Sequence, residues 1–342
     1  MGSAGKIVAV DPPYAIAGGE VVIDCEGFDT RDPSQCVVLV GDTPAQIVAL
    51  GPRRVLAIVP ETKGGRVAVT LWNGDEASQP AYITVAQKLA GDLHPVANPA
   101  FDPDDGALFV TRSGSRDEEL PVTLFRIDLS GEVSEYSGDI ANPTGIAFGP
   151  DGQMFVTSRF EGVVYKITPF KEATSFSRNL GVATGLAFNS DGLMHVGDRT
   201  GTIFKVNGIG EERAWTQLEP SVSAFHLAFG PDDSLYVAGP TVTSFDSIWR
   251  INPDGDIDMF YKGLGRPQGL AFDRDGNLYV AAALRGRRGI VRISPDGDDA
   301  KLVVAGVNLI GLAFSNAGEM AVVSIDSVYS LPMQIKGTLL RE

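Results

Sequence analysis

Pro267-Gln-Gly-Leu-Ala-Phe-Asp-Arg-Asp-Gly-Asn-Leu-Tyr-Val280 holds two short apolar strands joined by an acidic turn. Asp-Gly between two apolar runs is a strong hairpin signal, because glycine takes positive φ without a Cβ clash. The pattern recurs at Asn98-Pro-Ala-Phe101, Pro143-Thr-Gly-Ile-Ala-Phe148, Ala183-Thr-Gly-Leu-Ala-Phe188, Ala224-Phe-His-Leu-Ala-Phe229 and Leu309-Ile-Gly-Leu-Ala-Phe314. The anchoring phenylalanines Phe101, Phe148, Phe188, Phe229, Phe272 and Phe314 are 47, 40, 41, 43 and 42 residues apart. That period, built only of strands, is the length of a propeller blade. Six copies predict a six-bladed β-propeller.

Each unit continues in the same way. A third strand such as Ile248-Trp-Arg-Ile251 runs into the polar turn Asn252-Pro-Asp-Gly255, then into a fourth strand, Asp258-Met-Phe-Tyr-Lys262. No segment of this half shows a sustained helical period. The sixth blade still needs an outer strand to close the ring. Counting from Tyr329 by the offset between Trp249 and Phe260 lands on Leu340, so Ile335 to Leu340 is the expected closing strand. Lys88 to Leu93 also aligns with an outer strand.

Residues 1–86 have a different rhythm. Alternating strands at Val21 to Cys25, Cys36 to Val40, Arg54 to Val59, Arg66 to Trp72 and Ala81 to Val85 are separated by turns such as Gly18-Gly19 and Asn73-Gly74. About seven short strands in so small a span indicate a β-sandwich. The predicted organisation is therefore all-β: an immunoglobulin-like β-sandwich over 1–86 and the propeller over 87–342. Cys25 and Cys36 stand on successive strands of the first unit; they read as buried thiols, or as a disulfide pair.

Bulk properties narrow the function. Gly (40) and Pro (21) make about 18% of the 342 residues, enough for many turns and too little for a low-complexity chain. A net charge of −15 sets the surface against phosphate backbones, which excludes nucleic acid as a partner and disfavours anionic membranes. No apolar run reaches the roughly eighteen residues of a spanning helix. The opening Met1 to Lys6 carries no secretory segment, which leaves a cytoplasmic chain and an exported one with its signal removed both open.

On these residues the chain resembles two known families. Asp11-Pro-Pro, Gly18-Gly-Glu-Val-Val-Ile23, Gly27-Phe28, Val40-Gly41, Val59-Pro60 and Val67-Ala-Val-Thr70 are similar to the IPT/TIG immunoglobulin-like domain. The blade repeat resembles NHL-repeat and gluconolactonase-like (senescence-marker-type) propellers. Some NHL propellers bind RNA through a basic face, which the acidic charge here opposes. The lactonase-like resemblance implies a divalent cation such as calcium over the channel, held by Glu, Asn and Asp from different blades. Asp198 stands in the right kind of place for it, and Asn98 and Asn142 precede inner strands. No Glu opens the first inner strand, where that family would have one.

Strands that alternate in direction put the blade-to-blade and second-to-third-strand connections on one face. The Asp-Gly hairpins lie on the other. Asn142, Arg159, Asp198, Arg199, His226, Arg266, Gln268, Arg285 and Asn308 are then expected around one channel mouth. His226 is the most informative, because its counterparts are Gly145, Gly185, Gly269 and Gly311. It reads as a channel-filling histidine, or as a ligand contact or acid–base group. His195 aligns with Phe155, Tyr236 and Tyr279, an inter-blade core position. The acidic turns at Asp102, Asp273 and Asn252 lack the distal Glu of an EF-type calcium loop and read as plain hairpins. The leading expectation is a non-catalytic binding or scaffold module whose propeller face takes a protein or carbohydrate partner, with anionic groups meeting the arginines. Its rival is a divalent-cation-dependent, lactonase-like hydrolase with Asp198 and Asn142 as ligands and His226 as base.

Overall fold

The computed structural model describes residues 2–114, 120–243 and 245–338. Among these, regular structure is β-strand apart from one 3₁₀ turn at Pro33–Gln35. Six four-stranded blades follow the repeat; blades one, two, three and six are separate sheets, while four and five join where Leu264 and Gly265 pair with Leu284 and Ala283. Blade two is typical: Pro143–Phe148, Met154–Ser158, Val163–Ile167 and Ala173–Ser177 pair antiparallel in sequence order. Each inner strand (Ala100–Phe101, Pro143–Phe148, Ala183–Phe188, His226–Phe229, Leu270–Phe272, Leu309–Phe314) pairs on one side only and turns its free edge to the central channel.

The glue between blades is aromatic and repeats with the blade. Phe155 stands edge-on to Phe176 of its own blade and tilted against Phe188 of the next, with centroids 5.1 and 5.4 Å apart. Phe109, Tyr136 and Phe148 repeat the cluster one blade earlier, and Tyr236, Phe260 and Phe272 two blades on. His195 takes the same place between Trp215 and Phe229, at 5.0 and 4.9 Å. It is core, as its alignment predicted. The anchoring phenylalanine therefore recurs because it is one of the rings that joins each blade to the one before.

The closing strand is not the expected one. Gln87–Ala90 pairs antiparallel with Val328–Leu331 and completes blade six from the N-terminal side. Ala90 and Leu93 are buried with Leu108, Val110 and Val323, so this segment also fills the seam between blades six and one. Beyond Leu331 the chain leaves the blade's outer edge. Gly337 bridges Asp273, and the Thr338 N–H donates to Phe272 O at 3.1 Å, under blade five. Leu339 and Leu340 of the expected closure lie outside the described residues.

Residues 6–85 form two sheets around one core. Lys6–Asp11, Glu20–Glu26, Arg54–Ile58 and Gln46–Leu50 make the first; Tyr14–Ala15, Ala81–Val85, Gly65–Asn73, Cys36–Val40 and Thr43–Pro44 run through the second. Alternation sends Val21, Ile23 and Cys25 inward to meet Val38, Val69, Leu71 and Ile83. Both cysteines are buried free thiols. The second sheet does not end there. Tyr14–Ala15 pairs in parallel with Ala81–Val85 on one side and with Ala300–Ala305, the outer strand of blade five, on the other. Sheet and blade are one continuous surface, reinforced where Arg287 pairs with Asp11.

Candidate functional site

The residues expected around the channel mouth are set by a recurring turn. Asn142, Arg266 and Asn308 each precede an inner strand and have φ of 46°, 47° and 55°. Asparagine tolerates this left-handed conformation better than most side chains. In blades three and six the residue after the second strand then donates its N–H back across the turn: Arg199 to Val182 O at 3.1 Å and Ile325 to Asn308 O at 3.0 Å. Asp198 braces the same junction. Its Oδ1 accepts from the N–H groups of Val182 (2.9 Å) and Thr200 (3.0 Å), and its Oδ2 accepts from the Thr200 hydroxyl.

That leaves the arginines. Arg159, Arg199, Arg266 and Arg285 are exposed on this face, and none has a carboxylate partner among the described ion pairs. Partial burial, and then the like charge of Arg199, lower the pKa of Arg159, so the two guanidinium groups repel without an intervening acid. Among the described residues Arg159 Nη2 donates to Gly114 O, at 3.4 Å. Beside Arg159 the phenyl ring of Phe160 stands 69% exposed.

His226 lies deeper, at the level where the inner strands converge. Counting back three residues from each anchoring phenylalanine gives Asn98, Gly145, Gly185, His226, Gly269 and Gly311. Here the blades touch backbone to backbone: a Cβ on Gly145 would sit 2.5 Å from Thr184 O, and one on Gly185 2.5 Å from Phe225 O. Only blades one and four carry a side chain at this level, and in a six-membered ring those blades face each other. Asn98 reaches to blades five and six, donating to Leu270 O at 2.9 Å and accepting from the Leu312 N–H at 3.1 Å. His226 is 3% exposed, and its Nε2 has no hydrogen-bond partner. Burial pushes its pKa down to about 4, with Gln268 acting weakly the other way. The ring is neutral at ordinary pH.

Of the expected site residues, His226 alone lines the channel cavity; Gln268 is half-buried beside blade five's inner strand. Asn142, Arg159, Arg199, Arg266 and Asn308 sit above the constriction. Asn98 was legible only as a residue preceding an inner strand. Its register with His226 emerges once blade one, which lacks the Gly-Leu-Ala-Phe run, is aligned on Phe101.

The donor set does not fit a divalent cation. Both oxygens of Asp198 are engaged by loop donors, and among the described residues no three His, Cys, Asp or Glu side chains converge as ligands. The acidic turns are occupied with themselves: Asp102 Oδ1 accepts from the Asp104 N–H at 2.8 Å, and Asp273 holds the Asn277 N–H at 2.8 Å and the Tyr279 hydroxyl at 3.1 Å.

No protein-family model matches the chain, and no curated protein matches it. Solved structures do. An auxiliary nutrient binding protein from Bacteroides thetaiotaomicron is 14% identical over 96% of this chain and 98% of that one, with a TM-score of 0.57. A gluconolactonase-like protein is 18% identical over 74% of this chain and 93% of that one, at a TM-score of 0.62. Virginiamycin B lyase from Staphylococcus aureus is 18% identical over 73% and 87%, at 0.51. The last two shares are about what the propeller alone would supply. At these identities the likeness is one of fold: an all-β chain whose propeller is built like those of gluconolactonase-like and virginiamycin B lyase proteins.

Proposed function

We infer that the protein is a non-catalytic binding module, and that the arginine face of its propeller takes a protein or carbohydrate partner through carboxylate or sulfate groups. The observation that carries this is a cluster of exposed arginines that have no acidic partner among the described residues, on a chain of net charge −15. Acids outnumber bases, so arginines left unpaired on one face are available to an outside anion. Guanidinium groups hold carboxylates and sulfates through paired hydrogen bonds. The exposed ring of Phe160 offers an apolar contact beside them. The first 86 residues, read as an IPT/TIG-like sandwich, fix the orientation of that face. The nutrient-binding neighbour, alike over nearly its whole length, agrees with a binding role. A lactonase-like hydrolase would need metal ligands, and Asp198 is committed to its loop.

The test is titration with an oligogalacturonate and an acidic peptide, alongside calcium, zinc and manganese. At least one anionic probe should bind, weaken with added salt, and lose about tenfold or more in an Arg159→Ala, Arg199→Ala double variant, the loss expected for about 1.4 kcal/mol of interaction. Micromolar metal binding that disappears in Asp198→Ala overturns the reading in favour of the hydrolase.

A further inference from the structure

The channel has a second mouth. Below the level of Asn98 and His226 the inner strands part and enclose a cavity of about 780 Å³, which opens among the Asp-Gly hairpins, opposite the arginine face. Its upper wall is a band of Ile146, Leu186, Leu227, Leu270 and Leu312, and below it the anchoring phenylalanines lead out to the rim. The charge along this path has one sign. Asp102, Asp105, Asp233 and Glu319 line the opening, and among the described residues no lysine or arginine lines the cavity. Arg126 neutralises Asp105 at 2.7 Å. Asp102, Asp233 and Glu319 have no partner among the described ion pairs. One oxygen of each accepts a hydrogen bond, from the Asp104 N–H, the Ser190 N–H and the Ser330 hydroxyl respectively, but no cation balances their charge among the described ion pairs.

We propose that this cavity is a ligand site of its own, and that it takes an organic cation with an apolar body, such as an amine or a quaternary ammonium compound. The apolar body lies along the leucine band, where its transfer from water drives binding. The cationic group stays at the mouth, among Asp102, Asp233 and Glu319 and within reach of the phenylalanine rings, which favour a cation over their faces. The far end of the molecule meets His226. His226 is buried there, and its Nε2 has no hydrogen-bond partner among the described residues. An unpartnered imidazole nitrogen at this end of the cavity suits a ligand hydroxyl or amide group. An anion of the same shape is excluded: it would leave water facing three carboxylates with no cation to answer it.

The experiment compares four probes of one skeleton: 4-phenylbutylamine, its trimethylammonium analogue, 4-phenylbutanol and 4-phenylbutyrate, by calorimetry and by chemical shifts of the intact chain. Both cations should bind more tightly than the alcohol, and the butyrate should not bind. Asp233→Asn with Glu319→Gln should weaken the cations about tenfold and leave the alcohol unchanged, consistent with the loss of a partly desolvated ion pair. Both residues are half-buried or exposed, so the double variant should melt with the parent. Ala228→Phe, which fills the channel, should abolish binding of all three. Butyrate binding as tightly as the amine, cation affinity unmoved by the double variant, or no binding of either cation at millimolar concentration overturns the proposal. The arginine face is untouched by every one of these changes, so its own titration reads out separately.

Discussion

In blade three Asp198 occupies the place that serine holds in blades two and six. The Ser158 hydroxyl donates to Ala141 O at 2.6 Å, and Ser324 Oγ accepts from the Ser327 N–H at 3.0 Å, each tying the end of a second strand to its loop. Asp198→Ala should therefore lower stability by about 1–3 kcal/mol, the usual result of leaving buried donors unmet, whereas Asp198→Ser should restore most of it. Chemical denaturation of the two variants decides this; equal losses would show that the loop does not use the side chain. His195 offers a sharper test. Burial, opposed by the Leu193 carbonyl, holds its pKa near 4 against an ordinary value of 6.5. Its folded form stays neutral while the unfolded chain takes up a proton. Stability is then complete above about pH 6.5 and is lost as pH falls toward 4, by roughly 2 kcal/mol at about pH 5 for this one group. His195→Phe puts in the residue found at Phe109 and Phe155, and should unfold with a visibly shallower pH dependence between those limits. An unchanged acid limb in urea melts would refute the assignment.

At the scale of elements, the sequence was most legible where chemistry repeats. The Gly-Leu-Ala-Phe run and its Asp-Gly turn recur because every blade must present one aromatic to the next and turn within a few residues, so alignment alone located the inner strands and the core role of His195. In the first unit, Cys36–Val40 and Ala81–Val85 were bounded as observed, since period-two alternation survives wherever one face is buried. What the sequence hid was long-range pairing. Two segments matched an outer strand equally well in pattern, and only packing of Ala90 and Leu93 into the seam of blades six and one distinguishes them. The two-residue strand Tyr14–Ala15 has no pattern at all; its partners are about 70 and 290 residues away. The channel's acid rim was invisible for another reason. The carboxylates come from three different hairpins and each reads locally as turn chemistry. A prediction follows for the closing strand: a fragment beginning at residue 92 should be markedly less stable than one beginning at 87, because blade six loses its outer strand. If both melt alike, the C-terminal segment can close the ring after all.

Across the whole molecule, the decisive feature is how little chain separates the two units. Ala81–Val85 ends the sheet of the first, Gln87–Ala90 begins the last blade of the second, and Ala86 alone lies between. Ala86 is itself buried, and its N–H donates to Ala15 O at 2.8 Å. Next to it, Ile16 packs with Tyr279, Ala281, Ile290 and Val304 of the propeller, and its N–H donates to Ala305 O at 2.9 Å. A connection of this kind has no free residue to act as a hinge. The intact chain should accordingly unfold in a single calorimetric transition, with the ratio of van't Hoff to calorimetric enthalpy near one. The fragment 87–342 keeps all six blades but loses the strand that covers Ala300–Ala305. It should fold, melt lower than the intact chain, and self-associate more as its concentration rises, since an uncovered, partly apolar strand edge pairs with its like. Sedimentation velocity of both proteins over a range of concentrations tests this. Two resolved transitions in the intact chain, or a fragment as stable and as monomeric as its parent, would mean that the shared sheet is a contact of convenience and that the units turn independently.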